Sequence, residues 1–209
     1  MDAIYRYQRY IYDATRKFYL LGRDRMVDTL QPGTGTVLEV ACGTGRNLIK
    51  AAQQYPAASF YGFDISQMML ETARTNVARA NLSHRITLAQ GDASSFSGDA
   101  LFGVPAFNRV YISYAVSMIP PWREACAQSL AAVQPGGSLH IVDFSQQAEL
   151  PSWFRSGLHG WLAKFTVTPR ADLEAELSAL ARRSGSKIEF EHLFRDYAKL
   201  VVLRKPKLL

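Results

Sequence analysis

The sequence predicts an α/β fold built on one mostly parallel sheet of seven strands, with helices over both faces and an antiparallel hairpin at the C-terminal end. Three observations carry this expectation. Short β-rich runs alternate with helical segments along most of the chain, a glycine-rich turn joins the first such run to a helix, and the last two runs are only three residues apart. That gap leaves no room for a crossover helix, so the final pair must fold back on itself.

The elements follow in order. Ile4, Tyr7, Ile11, Ala14, Phe18 and Leu21 recur at three- and four-residue steps, which predicts an N-terminal amphipathic helix placed as a lid. Thr36 to Val40 is a short buried strand, followed by a glycine turn and a helix from Arg46 to Gln54. Ser59 to Asp64 is the second strand and Ser66 to Ala80 the second helix of that series; Arg85 to Ala89 and Asn108 to Ile112 are the third and fourth strands. A helix from Pro121 to Val133 is expected to stop at Gln134-Pro135-Gly136-Gly137, ahead of a fifth strand from Ser138 to Val142. Ile188 to Phe194 and Ala198 to Arg204 form the hairpin. The chain thus reads as one domain over residues 1–209, with a lid and substrate helix in 1–25, a ligand-binding core in 34–145 and a terminal hairpin in 186–205.

Bulk composition fits this reading. The 209 residues suffice for one sizeable core, and 48% hydrophobic with 20% charged residues is ordinary for a globular chain. No apolar run approaches the roughly 18 to 20 residues that span a bilayer, and the first residues lack an apolar stretch leading to a cleavage site. Cys42 and Cys126 have no metal-ligand spacing, so reduced thiols in a cytoplasmic protein and no metal are expected. The formal charge of +6 admits an acidic partner surface. Residues 1–25 hold six basic side chains against three acidic ones.

The strongest local signal is Val37-Leu38-Glu39-Val40-Ala41-Cys42-Gly43-Thr44-Gly45-Arg46-Asn47-Leu48. Gly43 and Gly45 let backbone approach a ligand where a side chain would collide. A dinucleotide fingerprint needs a third glycine where Leu48 stands. An acidic residue within the strand, Glu39, followed by the x-G-x-G turn, instead resembles the S-adenosylmethionine loop, with Ala41 at a position usually glycine; alanine fits if it keeps negative φ. Five βα units and a closing hairpin likewise resemble the Rossmann-like sheet of the class I methyltransferases.

Asp64 ends the second strand, where a carboxylate can accept from both ribose hydroxyls. Ile65 to Leu70, including Met69, resembles the segment packing on the adenine, and Gly91-Asp92-Ala93 the motif at the adenine edge. Asp64 and Asp92 taken singly could instead cap helices or turns. Tyr19, Arg23, Glu39, Ala41, Gly43, Thr44, Gly45, Asn47, Asp64, Ile65, Met69, Asp92, Ala93, Ser113 and Met118 make up the expected cofactor set.

The acceptor belongs beyond the carboxyl ends of the strands, beside Tyr111 to Pro120. Tyr114 and Tyr12 are expected nearest the reacting group, although Tyr114 could equally be packing. Five of the ten tyrosines lie in the first 19 residues, and an aromatic wall suits a substrate that becomes a quaternary ammonium. Phe154, Leu158, Trp161, Leu162 and Phe165 share a helical face beside Trp153, Arg155 and Lys164, which suits either a membrane interface or a helix over the acceptor pocket.

The run Tyr5 to Asp24, YRYQRYIYDATRKFYLLGRD, resembles the opening of the bacterial betaine-lipid N-methyltransferases of the BtaB type. The likeness continues through the glycine loop, Ser113 to Pro120, Thr168-Pro169-Arg170 and Tyr197-Ala198. It implies three N-methylations of diacylglyceryl-homoserine to diacylglyceryl-trimethylhomoserine, S-adenosylmethionine as methyl donor and S-adenosyl-L-homocysteine as product. Tyr19 and Arg23 would close over the cofactor, Arg23 against its methionine carboxylate, and Arg16 or Lys17 would meet the homoserine carboxylate. Tyr5, Tyr12, Arg16, Tyr114 and His159 form the expected acceptor set. The partner would be an amine-bearing lipid head group at an anionic membrane surface, met peripherally from the cytoplasm and without a transmembrane segment. The base that deprotonates the amine is left open among Asp143, His140, His159 and solvent. Phosphatidylethanolamine, a quinone or another small molecule are rival acceptors. A cofactor-binding protein without turnover is a further rival. Nothing resembles an RNA-binding motif, so nucleic acid is not expected.

Overall fold

The computed structural model describes residues 20–163 and 167–207, apart from the side chains of Phe154, His159 and Ala163. The expected lid helix, with Tyr5, Tyr12, Arg16, Lys17 and Tyr19, therefore lies outside the described residues. The elements are α1 (Arg23–Leu30), β1 (Thr36–Val40), α2 (Arg46–Gln54), β2 (Ser59–Asp64), α3 (Gln67–Arg79), β3 (Ile86–Gln90), α4 (Gly98–Phe102), β4 (Phe107–Ser113), α5 (Trp122–Ala131), β5 (Val133–Phe144), α6 (Ser152–Ala163), α7 (Leu173–Ser184), β6 (Lys187–Leu193) and β7 (Ala198–Arg204).

The seven strands form one sheet in the order β3-β2-β1-β4-β5-β7-β6. β7 runs antiparallel to both β5 and β6, and the other pairings are parallel. The expected hairpin is present. Its turn, Phe194-Arg195-Asp196, holds three successive non-glycine residues at φ between 55° and 59°. The order reverses between β1 and β4, so a crevice opens at their carboxyl ends.

Both sheet faces are buried, and successive residues supply opposite cores. Val37, Val142 and Leu200 pack in one cluster; Leu38, Ile141 and Val201 pack in the other. This is why the strands read as continuous apolar runs rather than as alternating ones. α6 sends Leu158, Trp161 and Leu162 onto the first cluster, with Leu162 buried. That face of the amphipathic segment is therefore spent on packing.

Two local expectations need correction. The helix before the fifth strand ends at Ala131, and β5 already begins at Val133, so Pro135-Gly136-Gly137 lies inside the strand. Val133 pairs with Phe107 and Ser138 with Arg109, so the intervening residues bulge out of the ladder. Proline has no N–H for a ladder bond and is at home in such a bulge. A Cβ on Gly137 would come within 2.6 Å of the Asn108 carbonyl oxygen, which fixes glycine there.

The second correction concerns helices α1, α4 and α7, which were not anticipated. α7 places Leu173, Leu177 and Ala181 on its buried face at four-residue spacing and ends at Gly185, with φ 64°. That spacing and the glycine cap were readable signals.

Candidate active site

A cleft of about 600 Å³ opens at the carboxyl ends of β1, β2 and β4, a size that suits a cofactor-scale ligand. Its floor is the turn after β1. Gly43 adopts φ 53° and Gly45 φ 75°, values that L side chains disfavour. Ala41, Cys42, Gly43 and Thr44 line the cleft.

Ala41 does not keep negative φ as expected. It sits at φ 57°, a left-handed value that costs a non-glycine residue about 1–2 kcal/mol. Ala41→Gly is expected to relieve this strain. The gain is partly offset by the freer unfolded chain, leaving a net stabilisation of up to about 1 kcal/mol. A urea-unfolding midpoint at or below that of the parent would contradict this account.

Gly45 plays a different part from the one expected. It is absent from the cleft wall, and a Cβ there would lie 3.2 Å from Ala73 Cβ, so it lets α2 approach α3 closely. Asn76 of α3 donates from Nδ2 to Thr44 O at 3.0 Å and lines the cleft. The turn is thus held from below by α3.

Asp64, at the end of β2, ties two segments together. Its Oδ2 accepts from Gly43 N at 2.8 Å and its Oδ1 from Ser66 N at 2.9 Å. Each oxygen keeps a lone pair for a ligand. Ile65, Ser66 and Met69 continue this wall, and Ser66 caps α3 by accepting from Met69 N.

Glu39 is buried beneath the turn. Its Oε1 accepts from Asn47 Nδ2 at 3.0 Å and its Oε2 from Tyr111 Oη at 3.1 Å. Removal from water outweighs these two donors and the nearby Arg23, and pushes its carboxyl up to about 8. Neutral Glu39 thus predominates at pH 7. Asn47 and Arg23 line the cleft beside it, and Arg23 also donates from Nε to Leu20 O at 3.0 Å.

The opposite wall comes from β4 and the loop after it, through Ser113, Tyr114, Ala115, Met118 and Ile119. Ser113 Oγ is buried with no hydrogen-bond partner. Tyr114, also left-handed at φ 54°, donates its hydroxyl to Leu21 O and sets its ring edge-on to Phe144 at 4.7 Å. Its hydroxyl is therefore spent on the chain that leads into α1 rather than offered to an acceptor.

Asp92 and Ala93 do not line the cleft. Asp92 is exposed, and its Oδ1 accepts from Ser94 N at 2.8 Å and Ser94 Oγ at 2.7 Å. Those bonds hold its carboxyl below the usual carboxylate range. Ala93 is buried in the second core cluster.

Two of the candidate bases also stand elsewhere. Asp143 accepts from Ser117 N at 3.0 Å and Phe144 N at 2.7 Å, pinning the loop after β4, and burial pushes it up to about 6. His140 pairs through Nδ1 with Thr29 Oγ1 and through Nε2 with Ser138 Oγ; burial, with Arg109 and Arg204 nearby, depresses it to about 3. Neither lines the cleft. His159 falls in α6, its side chain outside the described residues. Burial raises Cys126 to about 12 and Cys42 higher still, so both thiols stay neutral.

Sequence reasoning missed Leu20, Arg46, Ile49 and Asn76 on the cleft wall. Arg46 could have been found, because it follows the glycine turn directly. Asn76 gave no signal, because α3 alone brings it there.

The donor set fits an adenosyl ligand: a carboxylate with free lone pairs at the end of β2, bare backbone at the glycine turn and an orphaned hydroxyl on the facing wall. Sheet order, reversed β7 and cleft together define the class I methyltransferase fold. Residues 37–137, just under half of the chain, match the family model described as a methyltransferase domain.

Among known proteins, the chain is similar to the ubiquinone/menaquinone biosynthesis C-methyltransferase of Paracoccus denitrificans, at 29% identity over 122 residues. That alignment covers 58% of this chain and 47% of the relative, so the chain spans about half the length of the curated relative. An O-methyltransferase family protein from Burkholderia thailandensis superposes with a TM-score of 0.71 at 18% identity, over 93% of this chain and 59% of that one. Phosphoethanolamine N-methyltransferase 2 of Haemonchus contortus, solved in complex with S-adenosyl-L-methionine, gives 0.69 at 16%, over 88% and 53%. These two likenesses speak for the fold.

Proposed function

We propose that this chain is an N-methyltransferase that methylates diacylglyceryl-homoserine three times, giving diacylglyceryl-trimethylhomoserine. The observation that supports the amine acceptor is that, among the described residues, no histidine and only two carboxyl groups line the cleft. Glu39 is buried beneath the turn with Asn47 and Tyr111 donating to its two oxygens, and Asp64 holds Gly43 N and Ser66 N while keeping its remaining lone pairs for the cofactor. A neutral amine needs only its lone pair and an in-line approach of about 3 to 3.5 Å, and its proton can leave to solvent. Methylation of a ring carbon must also remove a proton from that carbon, which calls for a placed base.

S-adenosylmethionine, held along the glycine turn and Asp64, would supply an electrophilic sulfonium methyl group. Transfer would form the nitrogen–carbon bond as the carbon–sulfur bond broke, with S-adenosyl-L-homocysteine as leaving group, and the first two ammonium products would each give a proton to solvent before the next transfer. Arg23 and Arg46 on the wall suit an acceptor or donor carboxylate. The choice of homoserine lipid rests on the resemblance of Tyr5 to Asp24, together with the basic first 25 residues.

A second reading, methylation of a quinone-type ring carbon, is favoured by the name of the Paracoccus denitrificans relative. Radiolabelled methyl transfer by the purified protein, with diacylglyceryl-homoserine, phosphatidylethanolamine and a demethylated quinone offered in parallel, separates the readings. Label in mono-, di- and trimethylated homoserine lipid is the expected result. Label confined to phosphatidylethanolamine or to the quinone overturns it.

A further inference from the structure

The large apolar side chains that the fold leaves exposed are unevenly placed. Among the described residues they are Ile65, Met68, Met118, Trp153 and Phe194. Ile65 follows β2 directly and Met68 lies in the first turn of α3. Met118 is in the loop after β4, Trp153 begins α6 after β5, and Phe194 follows β6. β6 runs parallel to β5, because β7 reverses between them. All five therefore stand at the carboxyl-end edge of the sheet, where the cleft opens. None stands at the opposite edge.

Trp153 and Phe194 are 76% and 54% exposed and belong to neighbouring segments. Arg195 donates from Nη2 to Glu149 O at 2.8 Å, which joins the β6–β7 turn to the chain entering α6. A Cβ on Gly22 would lie 3.9 Å from Phe194 Cε2, and Gly22 sits between the cleft residues Leu20 and Arg23. The Phe194 ring thus stands beside the short stretch of chain between those two cleft residues. Its backbone is left-handed, in a turn of three such residues. α6 spends Leu158, Trp161 and Leu162 on the core, so the exposure of Trp153 is not the helix's packing face left bare.

Scattered single apolar residues need no explanation, but a rim of them on one edge does. Indole beside arginine is the chemistry of a bilayer interface, where the ring sits at head-group depth and the guanidinium meets phosphate. Arg155 and Arg195 are exposed, two residues after Trp153 and one after Phe194 in the chain. The first 25 residues carry a net charge of three positive in a chain of +6. We infer that the carboxyl-end edge docks on an anionic bilayer, with Trp153 and Phe194 inserting beside the cleft mouth so that a lipid head group reaches the cleft without leaving the membrane. This inference rests on the proposed lipid acceptor.

The test uses the whole chain with vesicles of phosphatidylcholine alone or with about a quarter phosphatidylglycerol. Trp122 is buried and Trp161 partly so, which leaves Trp153 as the exposed fluorophore. The expected result is co-sedimentation with the anionic vesicles and a blue shift of emission. The Trp153→Ser/Phe194→Ser double variant should lose about tenfold or more in vesicle partitioning. Its thermal melting and its methyl transfer to homoserine lipid in detergent micelles should be unchanged. Met68→Ser on the far lip gives an independent, smaller loss should the double variant fold poorly.

Unaltered vesicle binding by the double variant overturns the inference. So does parent emission that is already blue and indifferent to vesicles, which would place the rim under another part of this chain. Self-association abolished by the double variant would assign the rim to a second copy and also overturn it. Vesicle binding without transfer in micelles would instead sink the acceptor reading and leave docking standing.

Discussion

Asp64→Ala is expected to weaken binding of S-adenosylmethionine by about 10²- to 10³-fold. A carboxylate accepting from two ribose hydroxyls makes two charge-assisted bonds, each contributing about 1.5–3 kcal/mol. The same substitution frees Gly43 N and Ser66 N, which Asp64 holds at 2.8 and 2.9 Å, so the glycine turn loses its tie to β2. Both effects act in the same direction. Asp64→Asn separates them: it keeps one acceptor oxygen for the turn but cannot accept at both atoms, and should fall between parent and alanine variant. Titration calorimetry with the cofactor, alongside urea unfolding, reads the two quantities independently. Affinity within about threefold of the parent for a folded Asp64→Ala would remove Asp64 from the cofactor site.

Glu39→Gln should remove the dependence of stability on pH in the neutral range. Glu39 is buried with its carboxyl raised from 4.5 to about 8. The folded state therefore holds a proton that the unfolded chain has released. A carboxyl with a raised value contributes stability present below the unfolded value, lost progressively as pH rises towards the folded one. Asp143, raised from 3.8 to about 6, acts with the same sign but is spent by about pH 6. His140, depressed from 6.5 to about 3, acts with the opposite sign and only below about 6.5. Between about pH 6.5 and 8 the trend of these three groups belongs to Glu39, and the loss should be about 2 kcal/mol.

Glutamine has the same shape. Its oxygen can accept from Asn47 Nδ2, and its amide can donate to Tyr111 Oη, so no buried partner is left unpaired. The variant should melt at a nearly constant temperature across this interval, while the parent falls by about 4–8 °C. Parallel melting curves for the two proteins would mean that Glu39 is ionised in the fold.

Much of the architecture was legible in the amino-acid order because it depends on local rules. Strands buried on both faces announce themselves as apolar runs, and β1, β2, β4 and the terminal pair stand within a residue or two of their expected ends. The three-residue gap before Ala198 forced an antiparallel hairpin. Glu39, the Gly43–Gly45 turn and Asp64 could be placed on strand ends because topology puts strand ends at the crevice. The role of Pro135-Gly136-Gly137 was less legible. A breaker pattern reads as a stop, whereas the neighbouring strand β4 admits it as a bulge.

What the sequence by itself determined was the fold class, the glycine turn after β1 and the carboxylate at the end of β2. Each is written in residues adjacent along the chain. Only the tertiary structure decided that Ala41 is left-handed, that Tyr114 spends its hydroxyl on Leu21, that Gly45 packs α2 on α3, and that His140 and Asp143 stand off the cleft. The gathering of Trp153 and Phe194 with Ile65, Met68 and Met118 along one edge was likewise a tertiary result. Burial, φ and hydrogen-bond partners depend on residues tens of positions away, brought together by strand crossovers, and no local pattern carries that information.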